Sequence, residues 1–178
     1  MAQLLWTQKQ DVGPSARSDV AMVFDAVRGR VLLFGGAGST PMLFNDTWEW
    51  DGENWTQYED IGPAPRSRHG MAYDSKRQRT VLFGGSAGNA NLNDTWEWDG
   101  DNWTEVADTG PSTRGGHAMA YDSLRGRVVL FGGDDGQNFL AIPGRGMVRA
   151  GLKRRIRVHR CAASMAWITT TCGTASCS

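Results

Sequence analysis

A chain of 178 residues, 40% of them hydrophobic, is long enough for one domain with a real core. Its formal charge is zero, yet the charges are segregated: 12 bases against 19 acids leave residues 1–140 at −7, while 7 bases and no acid leave 141–178 at +7. No apolar stretch is long enough for a membrane span, and the start lacks the long apolar region of a secretory signal. No membrane partner is therefore expected, and the cytoplasm is the default location.

In chain order, "WTQ" at 6–8 comes first, and "DVGPSARSDVAMVFD" at 11–25 reads as a turn entering a strand. "VLLFGG" at 31–36 is β-branched and aromatic and predicts a second strand. "DTWEW" at 46–50 alternates, with Trp48 and Trp50 on one face and Thr47 and Glu49 on the other. The Asp-Gly of "WDGENW" then predicts a tight hairpin into a fourth strand, since Gly accepts the positive φ of such turns.

The pattern returns. "DIGPAPRSRHGMAYD" (60–74), "TVLFGG" (80–85) and "NDTWEWDGDNWTE" (93–105) repeat it, and "DTGPSTRGGHAMAYD" (108–122) and "VVLFGG" (128–133) begin it again. Phe34, Phe83 and Phe131 lie 49 and 48 residues apart. Four short antiparallel strands per repeat, without helical periodicity, point to propeller blades. The expected fold is all-β: about three four-stranded antiparallel blades over 1–140.

These residues resemble the Kelch-repeat family. The resemblance rests on the doublets Gly35-Gly36, Gly84-Gly85 and Gly132-Gly133 and on the aromatic pairs Trp48/Trp55 and Trp96/Trp103, with Trp where many Kelch repeats have Tyr. It implies that these residues are structural and that the rings fill the space between blades, each worth a few kcal/mol by apolar burial. Arg17, Arg66 and Arg114, each after a "GP", are expected to pin the turns between blades. The segment "WTQ" matches the fourth strand of a blade whose other strands the C-terminus of an intact propeller would supply. The chain therefore reads as a truncated propeller fragment, with open edges and low stability.

Residues 141–178 depart from the repeat. They hold Arg145, Arg149, Lys153, Arg154, Arg155, Arg157 and Arg160, and also Cys161, Cys172 and Cys177, which cannot all pair with one another. A basic run invites a nucleic-acid reading. The codons argue otherwise. Joining the third base of each codon to the first two of the next permits "DTWTWDG" from Ala141 onward. All three Trp codons so required demand glycine, and Gly144, Gly146 and Gly151 supply it in a chain where only 23 of 178 residues are Gly. The tail is read as a fourth repeat translated out of frame, poorly ordered, with spurious helix around 147–158 and no nucleic-acid role.

No catalytic constellation emerges. His69 and His117 occupy equivalent repeat positions and are expected to diverge rather than converge on a metal. A fragment of a propeller enzyme, such as a galactose-oxidase-like or sugar-processing protein, is the alternative. However, Tyr58, Tyr73 and Tyr121 have no cysteine in frame for the Tyr–Cys crosslink that such a resemblance implies. No metal or cofactor is expected. "DGDN" at 99–102 lacks the twelve-residue calcium ladder and reads as a turn. The sequons at Asn45, Asn54, Asn93 and Asn102 read as repeat chemistry.

What differs between repeats is the better guide. The loops at 37–44, 86–92 and 134–140 vary while their frames agree, as binding loops on a rigid scaffold do. Met42, Phe44, Asn89, Asn91, Asp134, Asp135, Gln137 and Asn138 are the candidate contacts for an unidentified protein or glycan ligand.

Overall fold

The computed structural model describes residues 12–58, 61–108, 110–140 and 143–144. The expected strand at 6–8, the helix around 147–158 and the three cysteines lie outside the described residues. Among those described, every regular element is a strand.

The first sheet contains β1 (Ala21–Asp25), β2 (Arg30–Ala37), β3 (Leu43–Trp50) and β4 (Trp55–Tyr58), in that spatial order. The second repeats it with β5 (Gly70–Asp74), β6 (Arg79–Ser86), β7 (Asn91–Trp98) and β8 (Trp103–Ala107). The third has β9 (Gly115–Asp122), β10 (Arg127–Asp134) and a two-residue β11 (Pro143–Gly144). All pairings are antiparallel, so each sheet is a blade of consecutive hairpins. Among the described residues the third therefore shows three of the four strands expected per repeat.

Two local rules set this register. At the doublets the pairing slips from Phe34↔Thr47 to Gly36↔Phe44, and from Phe83↔Thr95 to Gly85↔Leu92. That bulge demands left-handed backbone: Gly35 and Gly84 have φ of 61° and 59°. A Cβ on Gly35 would also stand 2.6 Å from the Arg66 carbonyl of the next blade. At the far end, the Asp99 carboxylate accepts the Asp101 and Asn102 N–H groups at 2.9 and 2.8 Å, closing the "DGDN" turn as an Asx hairpin.

The core lies between blades. Leu32 and Phe34 of blade 1 pack against Met71, Leu82, Trp98 and Trp103 of blade 2. The third strand of blade 1 turns Thr47 and Glu49 toward blade 2, so this polar set is the one that is buried. Thr47 and Glu49 are each only 1% exposed. They can be buried because blade 2 brings donors. Trp103 Nε1 donates to Thr47 Oγ1 at 3.0 Å, and Trp98 Nε1 donates to Glu49 Oε1 at 3.2 Å. The Tyr58 hydroxyl (3.0 Å) and Arg28 (2.6 Å) complete the carboxylate's shell. Trp103, one of the four paired tryptophans expected between blades, thus fills that space together with Trp98, which the pairs did not include. Trp48 and Trp96 are half-buried and donate to Asp46 and Asp94, both at 2.7 Å.

The three arginines do pin the turns. Arg66 donates to the Gly84 carbonyl at 3.0 Å and grips Asp94 through two bonds of 2.7 Å, and Arg17 treats Gly35 and Asp46 in the same way. In both carboxylates burial works against ionisation, but the arginine and the tryptophan donor hold the pKa below 3.8. Arg114 reaches Gly132 at 3.0 Å but has no carboxylate among the described residues. The place 48 residues after Asp94 holds Ile142.

Candidate binding rim

The variable loops emerge at one end of the blades, beside the turns that precede β1, β5 and β9. Backbone bridges Ser18↔Ala37 and Ser67↔Ser86 tie each turn to the start of its loop. The candidate residues do not share one fate. Met42 is 76% exposed at its loop tip. Phe44 is buried, with the Arg17 guanidinium 3.9 Å from its ring centroid, so it supports the loop rather than reaching a ligand. Asn89, Gln137 and Asn138 are exposed. Asp135 spends its carboxylate on the loop itself, accepting the Gln137 and Asn138 N–H groups at 2.9 and 2.7 Å, and these donors hold its pKa below 3.8.

Asn91 and Asp134 are brought together across the seam between blades 2 and 3: Asn91 Nδ2 donates to the Asp134 carbonyl at 2.8 Å. The third member of this cluster is Arg68, which forms an ion pair with the Asp134 carboxylate. Burial opposes ionisation of Asp134, but the hydrogen bond and charge of Arg68 outweigh it and keep the pKa low.

Arg68 was not among the sequence candidates. It belongs to a ladder in which Arg68 N–H donates to the Asp19 carbonyl at 2.9 Å and Gly116 N–H to the Arg68 carbonyl at 2.8 Å. Asp19, Arg68 and Gly116 occupy the same place in successive repeats, with left-handed φ of 52°, 57° and 68°. The fold thus requires one strained backbone conformation there and leaves the side chain free to be acidic, basic or absent. The signal in the sequence was a change of charge two residues after the arginine of each "GPxxR": Asp19, Arg68 and Gly116.

Just beneath the ladder, His69 and His117 stand edge-on to Phe34 and Phe83, each with ring centroids 5.5 Å apart. Burial, helped by the charge of the neighbouring arginine, lowers their pKa to about 3 for His69 and about 4 for His117. They are neutral packing groups. Among the described residues no three His, Cys, Asp or Glu side chains converge as metal ligands would.

A family model described as the KLHDC2/KLHL20/DRC7 Kelch-repeats domain matches residues 1–142. No curated protein sequence gives a significant match to the chain.

Proposed function

Because the chain belongs to the Kelch-repeat family, we propose that it is a non-catalytic scaffold whose rim holds a protein segment of mixed charge. Support comes chiefly from the Asp19–Arg68–Gly116 ladder, where identical backbone carries three different charges on adjacent blades. The exposed Met42 and Phe139, in the loops of blades 1 and 3, offer apolar contacts in addition to the Arg68–Asp134 pair, the mixture that suits a peptide better than a catalytic step. The reading is tested by selecting binders from a random peptide library displayed on phage. Selected peptides should lose at least tenfold affinity on Arg68→Glu and keep it on Arg125→Glu, a substitution in the β9–β10 hairpin. Equal binding to both variants would remove the rim from consideration.

We also infer that residues 141–178 are the out-of-frame reading of a further repeat. The pairing in β11 supports this. Phe131↔Pro143 and Leu130↔Gly144 take the places of Phe83↔Thr95 and Leu82↔Trp96. Glycine thus sits in the register of tryptophan, and among the described residues Arg114 has no acid such as Arg17 and Arg66 grip. Resequencing codons 130–180 decides it: one restored base should open a frame spelling "NDTWxWDG", and an intact frame would refute it.

A further inference from the structure

Each seam between blades has a key and a socket. The key is the face toward the preceding blade, and in blade 2 it consists of His69, Met71, Tyr73, Trp98 and Trp103. The socket of blade 1 is Ala21, Val23, Asp25, Leu32 and Phe34. The contacts are specific. Phe34 meets Trp103 edge-on at 5.2 Å, and the Tyr73 hydroxyl faces the Asp25 carboxylate. Three backbone hooks sew the rim side: Gly36 N–H to the Arg66 carbonyl (2.9 Å), Arg66 N–H to the Phe44 carbonyl (3.0 Å) and Arg68 N–H to the Asp19 carbonyl (2.9 Å). The next seam repeats them with Gly85, Arg114, Leu92 and Gly116 at 2.8 to 3.0 Å.

One key and one socket have no counterpart among the described residues, and they are halves of this same seam. The key of blade 1 is already shaped: Trp50 and Trp55 stand 5.5 Å apart at 48°, as Trp98 and Trp103 stand 5.4 Å apart at 47°. Met22 and Phe24 beside them are 53% and 57% exposed, whereas their equivalents Met71 and Tyr73 are buried. The socket of blade 3 offers Ala118, Ala120 and Phe131. Phe131 is 58% exposed where Phe34 and Phe83 are at 0% and 2%. A Cβ on Gly132 would meet nothing within 4 Å, where those on Gly35 and Gly84 meet the next blade's arginine carbonyl.

We propose that two copies of this 178-residue chain join head to tail, the blade 1 key of each seating in the blade 3 socket of the other. Trp55 of one copy then stands over Phe131 of its partner. The Arg17 N–H and carbonyl of one copy hook the Leu140 carbonyl and Gly133 N–H of the other, as Arg66 and Arg114 do within the chain. The contact is heterologous, and two copies related by a twofold axis bury both keys and both sockets, which ends growth. The proposal rests on the blade faces and is independent of the rim.

Sedimentation equilibrium of the full chain tests it. Wild type should give twice the chain mass. Phe24→Asp and Phe131→Asp, both at exposed positions, should each weaken association at least tenfold, with far-UV circular dichroism unchanged. Mixed in equal amounts, these two variants should recover a heterodimer through the one unaltered seam. A wild type that is monomeric up to its solubility limit, or that grows without end, would overturn the proposal. So would a Phe131→Asp variant that stays dimeric, or a mixture that stays monomeric. If Phe24→Asp does not fold, Met22→Asp replaces it with the same expectation.

Discussion

The seam between blades 1 and 2 and the seam between blades 2 and 3 share their inner halves and differ in their outer halves. On the inner strands, His69 against Phe34 and Tyr73 against Asp25 are matched by His117 against Phe83 and Tyr121 against Asp74. On the outer strands, blade 2 supplies two tryptophans to Thr47 and Glu49. Among the described residues no tryptophan reaches the equivalent Thr95 and Glu97, although both are buried. One repeat motif therefore gives unequal interfaces, because a seam is made by two repeats and is only as complete as its poorer half.

The largest test of this difference is at the rings. Trp103→Ala removes a buried side chain from the complete seam, strands the Thr47 hydroxyl and should cost about 3–5 kcal/mol in urea unfolding. Trp55→Ala, at the same motif position on the uncovered key, should cost less than half as much in the monomer. Equal losses would mean that motif position, and not neighbouring blades, sets the energy.

The carboxylates sharpen the comparison next. Glu49→Ala deprives Arg28, Tyr58 and Trp98 of their acceptor and should destabilise by about 2–3 kcal/mol, Arg28 being partly able to turn to water. Glu97 has Arg77 as its partner, and Arg77 keeps Asp74. Glu97→Ala should therefore cost about 1 kcal/mol in the same unfolding experiment.

The pH response is the feature that both seams share, one histidine in each. His69 and His117 are neutral in the fold down to about pH 3 and 4, while the unfolded chain protonates them below about 6.5. Stability is thus complete above pH 6.5 and falls as the pH drops, by about 2 kcal/mol per histidine at pH 5. Asp46 and Asp94, with lowered pKa, add losses only below about pH 4. His117→Leu should halve the loss between pH 7 and 5 measured by thermal or urea unfolding. An unchanged slope would show that the ring is not buried neutral.

Much of this was legible in the residues. Strand identity and hairpin turns follow from local chemistry: β-branched and aromatic runs, Asp-Gly pairs, and glycine doublets where the bulge needs left-handed backbone. The repeat spacing gave the blades. Of the rim, the loops were legible but their membership was not. Phe44 read as a loop residue and is buried under Arg17, while Arg68 went unnoticed beside the repeated arginine two residues earlier.

What the sequence determined by itself is the blade, since its strands pair with immediate neighbours in the chain and their turns are set within a few residues. What only the tertiary structure decided is which face of each strand could be buried and which loop residues meet. Period-two alternation marks Thr47 and Glu49 as a face but says nothing of a donor 49 or 56 residues away. A buried carboxylate is favourable only once Trp98 and Arg28 are placed around it, and the Arg68–Asp134 pair spans 66 residues. Those distances along the chain are closed by the stacking of one blade on the next.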